Sequence, residues 1–195
     1  MAASIAAVWV GLIGIGVAVA VRESTTAGAA GDPPPVWPMR SAIPRGRVGA
    51  SRVVMFVHPQ CPCSRASLHE LAAVVEAVGA RVDVAIVFER PDGAPADWLD
   101  TDRWNSAKAI PGAAVLIDGG AEMARFGAQT SGAVVMYDPS GRLVFAGGIT
   151  GSRGHEGDNR GREEVIELAR RAVPPPVAVA HPVYGCGLGA VGARR

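Results

Sequence analysis

The chain has 195 residues, which is about one ordinary domain once an apolar amino-terminal run and a linker are set aside. It carries 19 basic and 18 acidic side chains, a net charge of +1, and so lacks the basic excess typical of nucleic-acid binding; we predict no nucleic-acid partner. Its 3 cysteines cannot all pair with one another and are too few for a disulfide-stapled scaffold, so they point to chemistry.

An uncharged apolar run occupies residues 2–21 and is long enough to cross the hydrocarbon core of a bilayer as a helix. A cleaved signal peptide is the alternative, but it would carry a basic amino-terminal region and a shorter apolar stretch. We therefore predict a single-pass membrane anchor over residues 1–22. The arginines that follow the run, such as Arg22 and Arg40, favour a cytoplasmic domain by the positive-inside rule.

Prolines and small residues without apolar periodicity fill residues 23–50, a composition typical of an extended linker. The folded domain is predicted over residues 51–173, because three consecutive prolines follow Val173 and cannot continue a helix. Residues 174–195 then form a carboxyl-terminal tail.

The first half of the domain is predicted to alternate strands with helices. Runs rich in β-branched and aromatic residues at 52–57 and 82–88 are typical of buried strands. Between them, apolar residues recur at helical spacing and predict a helix over 63–78, which Gly79 would end. A second helix is predicted over 95–109.

The second half of the domain carries a hairpin and a terminal helix. In order, the predicted elements are a strand at 113–117, a short helix at 121–128, strands at 133–137 and 142–147 joined by an Asp-Pro-Ser-Gly turn, and a helix at 162–173 capped by Asp158 or Asn159. Strands that alternate with helices and then give way to a hairpin predict an α/β fold with a mixed central sheet flanked by helices.

The segment His58-Pro-Gln-Cys61-Pro-Cys63 stands between the first strand and its helix. A helix amino terminus stabilises a thiolate, which is the nucleophile of disulfide chemistry and a ligand of soft metals. A disulfide across Cys-Pro-Cys would close a small, strained ring and would be easy to reduce. The residues themselves therefore leave open a redox pair and a copper or zinc site formed by Cys61, Cys63 and His58.

Other polar residues are candidates for the same site. Arg65 on the first helical turn carries a charge that suits a thiolate or an anionic substrate. The segment 147–161 is rich in glycine and charge, includes His155, and is interpreted as a wall of the site or a mobile connection. Cys186 lies in the predicted tail, where it would resolve a mixed disulfide, join His181 as a metal ligand, or be inert.

A family resemblance covers residues 51–173. A strand that runs into a short cysteine motif and a helix, with a strand hairpin and a helix after it, resembles the thioredoxin-like superfamily. The segment 115–148, in which Phe126-Gly127 precedes a loop, is similar to peroxiredoxins and to membrane-tethered thioredoxin-like proteins of cytochrome c maturation. HPQCPCSRAS together with GGITGSRGHEGDN resembles, more narrowly, a bacterial group labelled RedB-like. The resemblance implies a thioredoxin-like fold in which Thr130 and Ser131 face the cysteines.

The chain departs from thioredoxins at two places. Thioredoxins carry Cys-x-x-Cys, so Cys63 matches their second thiol and Cys61 lies one residue from the attacking position. Residues 130–132, Thr-Ser-Gly, stand where thioredoxins have a cis-proline.

We predict a membrane-tethered thiol–disulfide oxidoreductase in which Cys61 attacks or is attacked and Cys63 resolves. Its partner would be a thiol or disulfide protein, and its domain would face the periplasm from the inner membrane, where thiols are exchanged. Replacement of Cys186 is expected to leave the Cys61–Cys63 couple intact. The full set of candidate catalytic residues is Cys61, Cys63, His58, Arg65, Thr130, Ser131 and His155.

The residues of the sequence leave two other functions open. One is a copper- or zinc-binding metallochaperone that uses Cys61, Cys63 and His58; apart from this metal, no cofactor is predicted. The other is a peroxide-reducing thiol enzyme, which ranks last because His58 stands where the Thr-x-x-Cys motif of such enzymes needs a threonine.

Overall fold

The computed structural model describes residues 2–189, and the side chains of residues 8–189. Its elements are α1 (Ala2–Thr25), β1 (Ser51–Val57), α2 (Ser64–Val78), β2 (Val82–Glu89), α3 (Asp102–Ala109), β3 (Ala114–Asp118), α4 (Ala121–Arg125), β4 (Ala133–Tyr137), β5 (Leu143–Gly147), α5 (Arg160–Arg170) and β6 (Val179–Ala180). A short 3-10 turn at Gly79–Arg81 joins α2 to β2.

The strands form one mixed sheet in the order β3-β2-β1-β4-β5-β6. Strand β1 pairs parallel with β2 and antiparallel with β4, and β4 and β5 form an antiparallel hairpin. The hairpin closes through a tight turn in which Gly141 has a φ of 84° and its N–H donates to Asp138 O at 2.8 Å. This is the thioredoxin-like α/β arrangement that the sequence predicted.

Two hydrophobic cores lie on opposite faces of the sheet. Helices α2, α3 and α5 cover one face, where Leu71 and Val165 pack with Met55 of β1. On the other face Phe56 and Tyr137 pack with residues of α4 and of the segment that follows α1. All seven residues of β1 are buried because both of its faces are covered.

The segment predicted as a free linker instead packs on the second face. Trp37 is 4% exposed and Ile43 is 2% exposed, and the Trp37 ring lies 5.2 Å from the rings of Phe126 and Tyr137. The Tyr137 hydroxyl donates to Pro34 O at 3.0 Å. Because the segment forms neither a helix nor a regular strand, its apolar residues follow no regular spacing. Its burial therefore could not be predicted from periodicity.

The predicted tail also belongs to the domain. Strand β6 adds in parallel to β5 at the edge of the sheet, and Gly148 N donates to Pro182 O at 3.2 Å. A Cβ at Gly147 would lie 2.4 Å from His181 O, and one at Gly148 would lie 2.6 Å from Pro182 O. The two glycines therefore allow the tail to approach the sheet this closely.

Three helices differ from the prediction in their bounds; among them, α5 runs over Arg160–Arg170 rather than 162–173. The helix predicted over 95–109 begins only at Asp102, because Thr101 has extended backbone angles and caps it by accepting from Trp104 N at 3.3 Å. Helix α4 stops at Arg125 rather than at residue 128. Asn159 is the cap of α5 and accepts from Arg162 N at 2.8 Å.

Within the described residues, α1 is the one helix long and apolar enough to cross a membrane, with its span at Val8–Thr25. Nearly all the described side chains of this helix are exposed. By length and composition it suits a membrane anchor or a signal sequence.

Candidate active site

The Cys-Pro-Cys motif forms a turn that leads from β1 into α2. Cys61 N donates to His58 O at 3.1 Å, and Ser64 N donates to Cys61 O at 3.2 Å. Cys63 is the residue that caps α2, although its side chain accepts no capping hydrogen bond. The motif therefore sits at the amino end of the first long helix of the domain.

The two thiols of the motif differ in access. Cys61 is 1% exposed, whereas Cys63 is half-buried, and Cys61 raises the pKa of Cys63 in the same turn. Neither cysteine is in a disulfide. A large partner molecule therefore reaches the sulfur of Cys63 more readily than that of Cys61.

The third cysteine lies against the first. Cys186 N donates to Cys61 Sγ at 3.4 Å, and each of the two thiols shifts the pKa of the other. The sequence interpretation that set Cys186 apart in a tail is therefore wrong. No local pattern could place it there, because the two cysteines are 125 positions apart in the chain.

Backbone contacts fix the segment that carries Cys186. Ser131 N donates to Cys186 O at 2.8 Å, and Leu188 N donates to Gln129 O at 2.8 Å. A Cβ at Gly185 would lie 1.9 Å from Ser131 O, so the approach requires glycine at this position. The segment is thus docked on the loop that precedes β4.

The loop of residues 130–132 was expected to face the cysteines. Within this loop, Ser131 faces the cysteine turn. The Ser131 hydroxyl is 2.7 Å from the Ser64 hydroxyl and accepts from His58 N at 2.7 Å. The Thr130 hydroxyl instead donates to Ala29 O at 2.9 Å, in the segment after α1. Thr130 and Ser131 are both 1% exposed. Ser131 therefore braces the cysteine turn, whereas Thr130 holds the amino-terminal segment.

The remaining candidates lie in different surroundings. His58 is half-buried, its Nδ1 accepts from Gln60 N at 3.1 Å, and its ring lies 5.3 Å from the Trp98 ring. Arg65 is exposed on the first turn of α2. His155 is exposed and lies beside Gly151. Catalytic roles for His58, Arg65 and His155 stay predictions.

Arg153 is a site residue that the sequence did not single out from its glycine-rich segment. Its guanidinium donates to Gly185 O at 2.7 Å, and its positive charge acts to lower the pKa of the Cys63 thiol. Its backbone N–H donates to Ser24 O at 2.9 Å, near the end of α1. One arginine therefore bonds the docked tail and the end of the apolar helix, and its charge lies close enough to influence the accessible thiol.

The environment gives the three thiols different acidities. Burial raises the pKa of Cys61, but hydrogen bonds from Cys186 and Ser64 outweigh it, so the pKa is lowered overall. Burial and the neighbouring Cys61 raise the pKa of Cys63, against the lowering effect of Arg153. Burial is the main cause that raises the pKa of Cys186 to about 12. Cys61 is thus the thiol whose anion the site favours.

The residues proposed for a metal are not grouped as a site of three ligands. In the part of the chain that the structure describes, no group of three or more His, Cys, Asp or Glu side chains could hold a metal ion. Nδ1 of His58 accepts a backbone hydrogen bond from Gln60. A three-ligand copper or zinc site formed by Cys61, Cys63 and His58 is therefore not found among the described residues.

A large cavity of about 910 Å³ lies away from the cysteines. It is lined by Val75, Gly79 and Val82, at the carboxyl end of α2. Because the cysteines occupy the opposite end of the same helix, the cavity takes no part in the thiol site.

No protein-family model matches the chain, and no curated protein matches it. Solved structures do match. An uncharacterized conserved protein from Geobacillus kaustophilus is 16% identical with a TM-score of 0.59, over 84% of this chain and 91% of that one. A hypothetical protein from Sinorhizobium meliloti 1021 is 19% identical with a TM-score of 0.54, over 84% and 94%.

The fold is thioredoxin-like by its own arrangement: a mixed sheet with an antiparallel hairpin, helices on both faces, and a cysteine turn between β1 and α2. At these identities the similarity concerns the fold, and function has to be argued from the site itself.

Proposed function

We propose that the protein is a RedB-like thiol–disulfide oxidoreductase that meets its partner at Cys63 and uses Cys61 as the inner thiol. The observation that carries the proposal is the pairing of a shielded thiol with an accessible one at a helix amino terminus: Cys61 is 1% exposed, and half-buried Cys63 contacts it. Disulfide exchange requires one sulfur that a partner can reach and a second that can leave or attack within the same molecule.

In the oxidising direction, a partner thiolate attacks Cys63 Sγ of a Cys61–Cys63 disulfide. A bond forms between the partner sulfur and Cys63, the Cys61–Cys63 bond breaks, and Cys61 leaves as a thiolate. Hydrogen bonds from Cys186 and Ser64 stabilise that thiolate, and a thiol of lower pKa leaves faster. A second partner thiolate then attacks the partner sulfur and releases Cys63, so the partner loses two electrons and the cysteine pair gains them.

This assignment reverses the order of attack that the sequence suggested. Cys61 was the predicted site of attack, but its burial closes it to a protein partner. Arg153 adds a positive charge beside Cys63 and so favours the approach of an anionic thiolate at that sulfur. The proposed partner is still a thiol or disulfide protein, but it would react with the sulfur of Cys63.

The test is a trapping experiment on the full-length protein in detergent, with reduced and oxidised insulin as the probe. In Cys61→Ser the mixed disulfide on Cys63 has no inner thiol to attack it, so we expect a covalent adduct on Cys63 and loss of turnover. In Cys63→Ser we expect loss of turnover without an adduct, because the remaining thiol of the motif is buried. Non-reducing electrophoresis and peptide mapping distinguish the two.

Each variant serves as the matched control of the other, since both remove one thiol from the same turn. An adduct through Cys61 in Cys63→Ser would restore the order of attack predicted from the sequence. Purified protein that carries stoichiometric copper or zinc, lost in Cys61→Ser, and that never exchanges disulfides would instead support a metal-binding function.

For the location, we propose that α1 is a single-pass anchor in the inner membrane and that the domain faces the periplasm. The contact between Arg153 N and Ser24 O links the thiol site to the end of this helix, so a membrane that holds α1 would lie close to the site. We expect an alkaline phosphatase fused after Arg195, which is active only when exported, to be active in cells. Activity confined to a reporter that works only in the cytoplasm would contradict the orientation.

A further inference from the structure

We propose that Cys186 is a third redox thiol, and that the stable oxidised form of the protein holds a Cys61–Cys186 disulfide, with the Cys61–Cys63 disulfide as its transient precursor. The inference rests on the proposed oxidoreductase function and extends it from a pair of thiols to three. It assigns a chemical role to a residue outside the motif, at a position in the chain where no local pattern indicates one.

Cys61 is the central sulfur of the three. The backbone N–H of Cys186 donates to the Cys61 sulfur at 3.4 Å, and the charge of Cys61 raises the pKa of both Cys63 and Cys186. Thiol–disulfide exchange requires an attacking sulfur to reach the sulfur of an existing bond. Cys186 is placed to attack a disulfide at Cys61, because its backbone N–H is already bonded to that sulfur.

The position of Cys186 is set by contacts on both sides of it. Arg153 donates to Gly185 O at 2.7 Å, and the isolated bridge between Thr130 and Gly187 follows directly after it. Farther along, Gly189 N donates to the Glu89 carboxylate at 2.6 Å. Because neighbouring backbone groups are bonded before and after Cys186, its thiol is held beside Cys61 rather than reaching it by chance.

Ring size favours the second disulfide. A bond across Cys-Pro-Cys closes a ring of three residues, whose geometry departs from that of a relaxed disulfide and makes the bond easy to break. A Cys61–Cys186 bond closes a loop of more than a hundred residues and has no such restriction, because the fold already brings the two thiols together. Transfer of the disulfide from Cys63 to Cys186 therefore relieves strain.

The transfer needs no outside oxidant. The Cys186 thiol gives up its proton, its sulfur attacks Cys61 Sγ, a Cys61–Cys186 bond forms, and the Cys61–Cys63 bond breaks. Cys63 leaves as a thiolate beside Arg153 and takes up the proton, so one disulfide replaces another at the same overall oxidation state. The result is a free thiol at Cys63 and a disulfide between buried Cys61 and half-buried Cys186.

Peptide mapping tests this on the full-length protein in detergent. Trypsin cuts after Arg52, Arg65, Arg171 and Arg194, so Cys61 and Cys63 share one peptide while Cys186 lies in another. The protein is reduced, oxidised with diamide, alkylated at intervals with iodoacetamide and digested. We expect an early product with both thiols of the first peptide oxidised, which gives way to a cross-linked pair of peptides in which Cys63 is alkylated.

Single cysteine variants show which two sulfurs form each disulfide. Cys63→Ser should still form the cross-linked pair, and Cys186→Ser should stop at the disulfide within the first peptide, with its reduction potential shifted in the oxidising direction. If the wild type stops at Cys61–Cys63, exchanges disulfides with insulin and keeps Cys186 open to alkylation, the inference is overturned while the oxidoreductase function stands. If Cys61 enters no disulfide in any variant, the proposed function fails as well.

Discussion

Replacing Glu70 by glutamine is expected to destabilise the protein by about 3 kcal/mol, because it neutralises the buried partner of Arg162 and leaves that arginine paired only with the exposed carboxylate of Asp158. The Glu70 side chain is 1% exposed and lies 2.7 Å from the guanidinium of Arg162. Breaking such a pair costs roughly 3–5 kcal/mol; we use the lower limit since the Arg162 side chain is 18% exposed and water can replace part of the contact.

The Glu70 carboxylate also holds the segment that forms one wall of the site. It accepts from Gly157 N at 2.7 Å and from the Asn159 side chain at 3.3 Å, and Asn159 caps α5. The same segment carries Arg153, which contacts Cys63. Loss of the carboxylate charge should therefore loosen this wall as well as lower the stability, and Cys63 should react at a different rate with iodoacetamide.

The measurement is denaturant unfolding of the full-length protein in detergent, followed by circular dichroism. The matched control is Glu76→Gln on the same helix, since Glu76 is exposed and its replacement should change the free energy of unfolding by no more than about 0.5 kcal/mol. Equal unfolding midpoints for Glu70→Gln and the wild type would show that the buried pair makes no net contribution to the free energy of unfolding.

The sequence was informative where the fold follows local periodicity. The apolar spacing of α2 and the β-branched runs of β1 and β2 predicted those elements because each buries a continuous face. The cysteine turn could be placed at the start of α2 for the same reason, since it lies between two strongly patterned elements. The hairpin followed from its turn residues, with Gly141 at the position of positive φ.

What the sequence did not reveal are contacts between distant parts of the chain. Trp37 is buried by an irregular segment, and Cys186 meets Cys61 through a tail that pairs with the last strand of the hairpin. Glu70 looks like any polar residue of an amphipathic helix until Arg162 is brought to it from a turn of another helix. Such pairs depend on tertiary packing, which hydrophobic patterns specify only as faces and not as partners.

Glycines stand in the sequence where the tail contacts the loop before β4, because a larger side chain would not fit there. At Gly185 an added Cβ would lie 1.9 Å from the backbone oxygen of Ser131. That oxygen cannot easily move, because Ser131 N is bonded to Cys186 O and Gly132 N is bonded to Phe56 O, both at 2.8 Å. The tail itself must therefore withdraw if residue 185 gains a side chain.

Gly185→Ala is accordingly expected to release Cys186 from Cys61. Overpacking of this kind costs roughly 1–3 kcal/mol, and every 1.4 kcal/mol is about a tenfold change in the docked fraction. We expect Cys186 to be alkylated by iodoacetamide about ten times faster than in the wild type, and diamide oxidation to stop at Cys61–Cys63. Peptide mass spectrometry after timed alkylation measures both.

The matched control for this prediction is Gly119→Ala. An added Cβ there would have only Arg90 O within reach, at 3.8 Å, which is ordinary contact, and the residue lies outside the docked tail. Its Cys186 should react at the wild-type rate. A slow, wild-type rate of Cys186 alkylation in Gly185→Ala, in a protein whose melting temperature has fallen, would mean that the strain is relieved elsewhere and that the tail does not depend on glycine to bring the third thiol to Cys61.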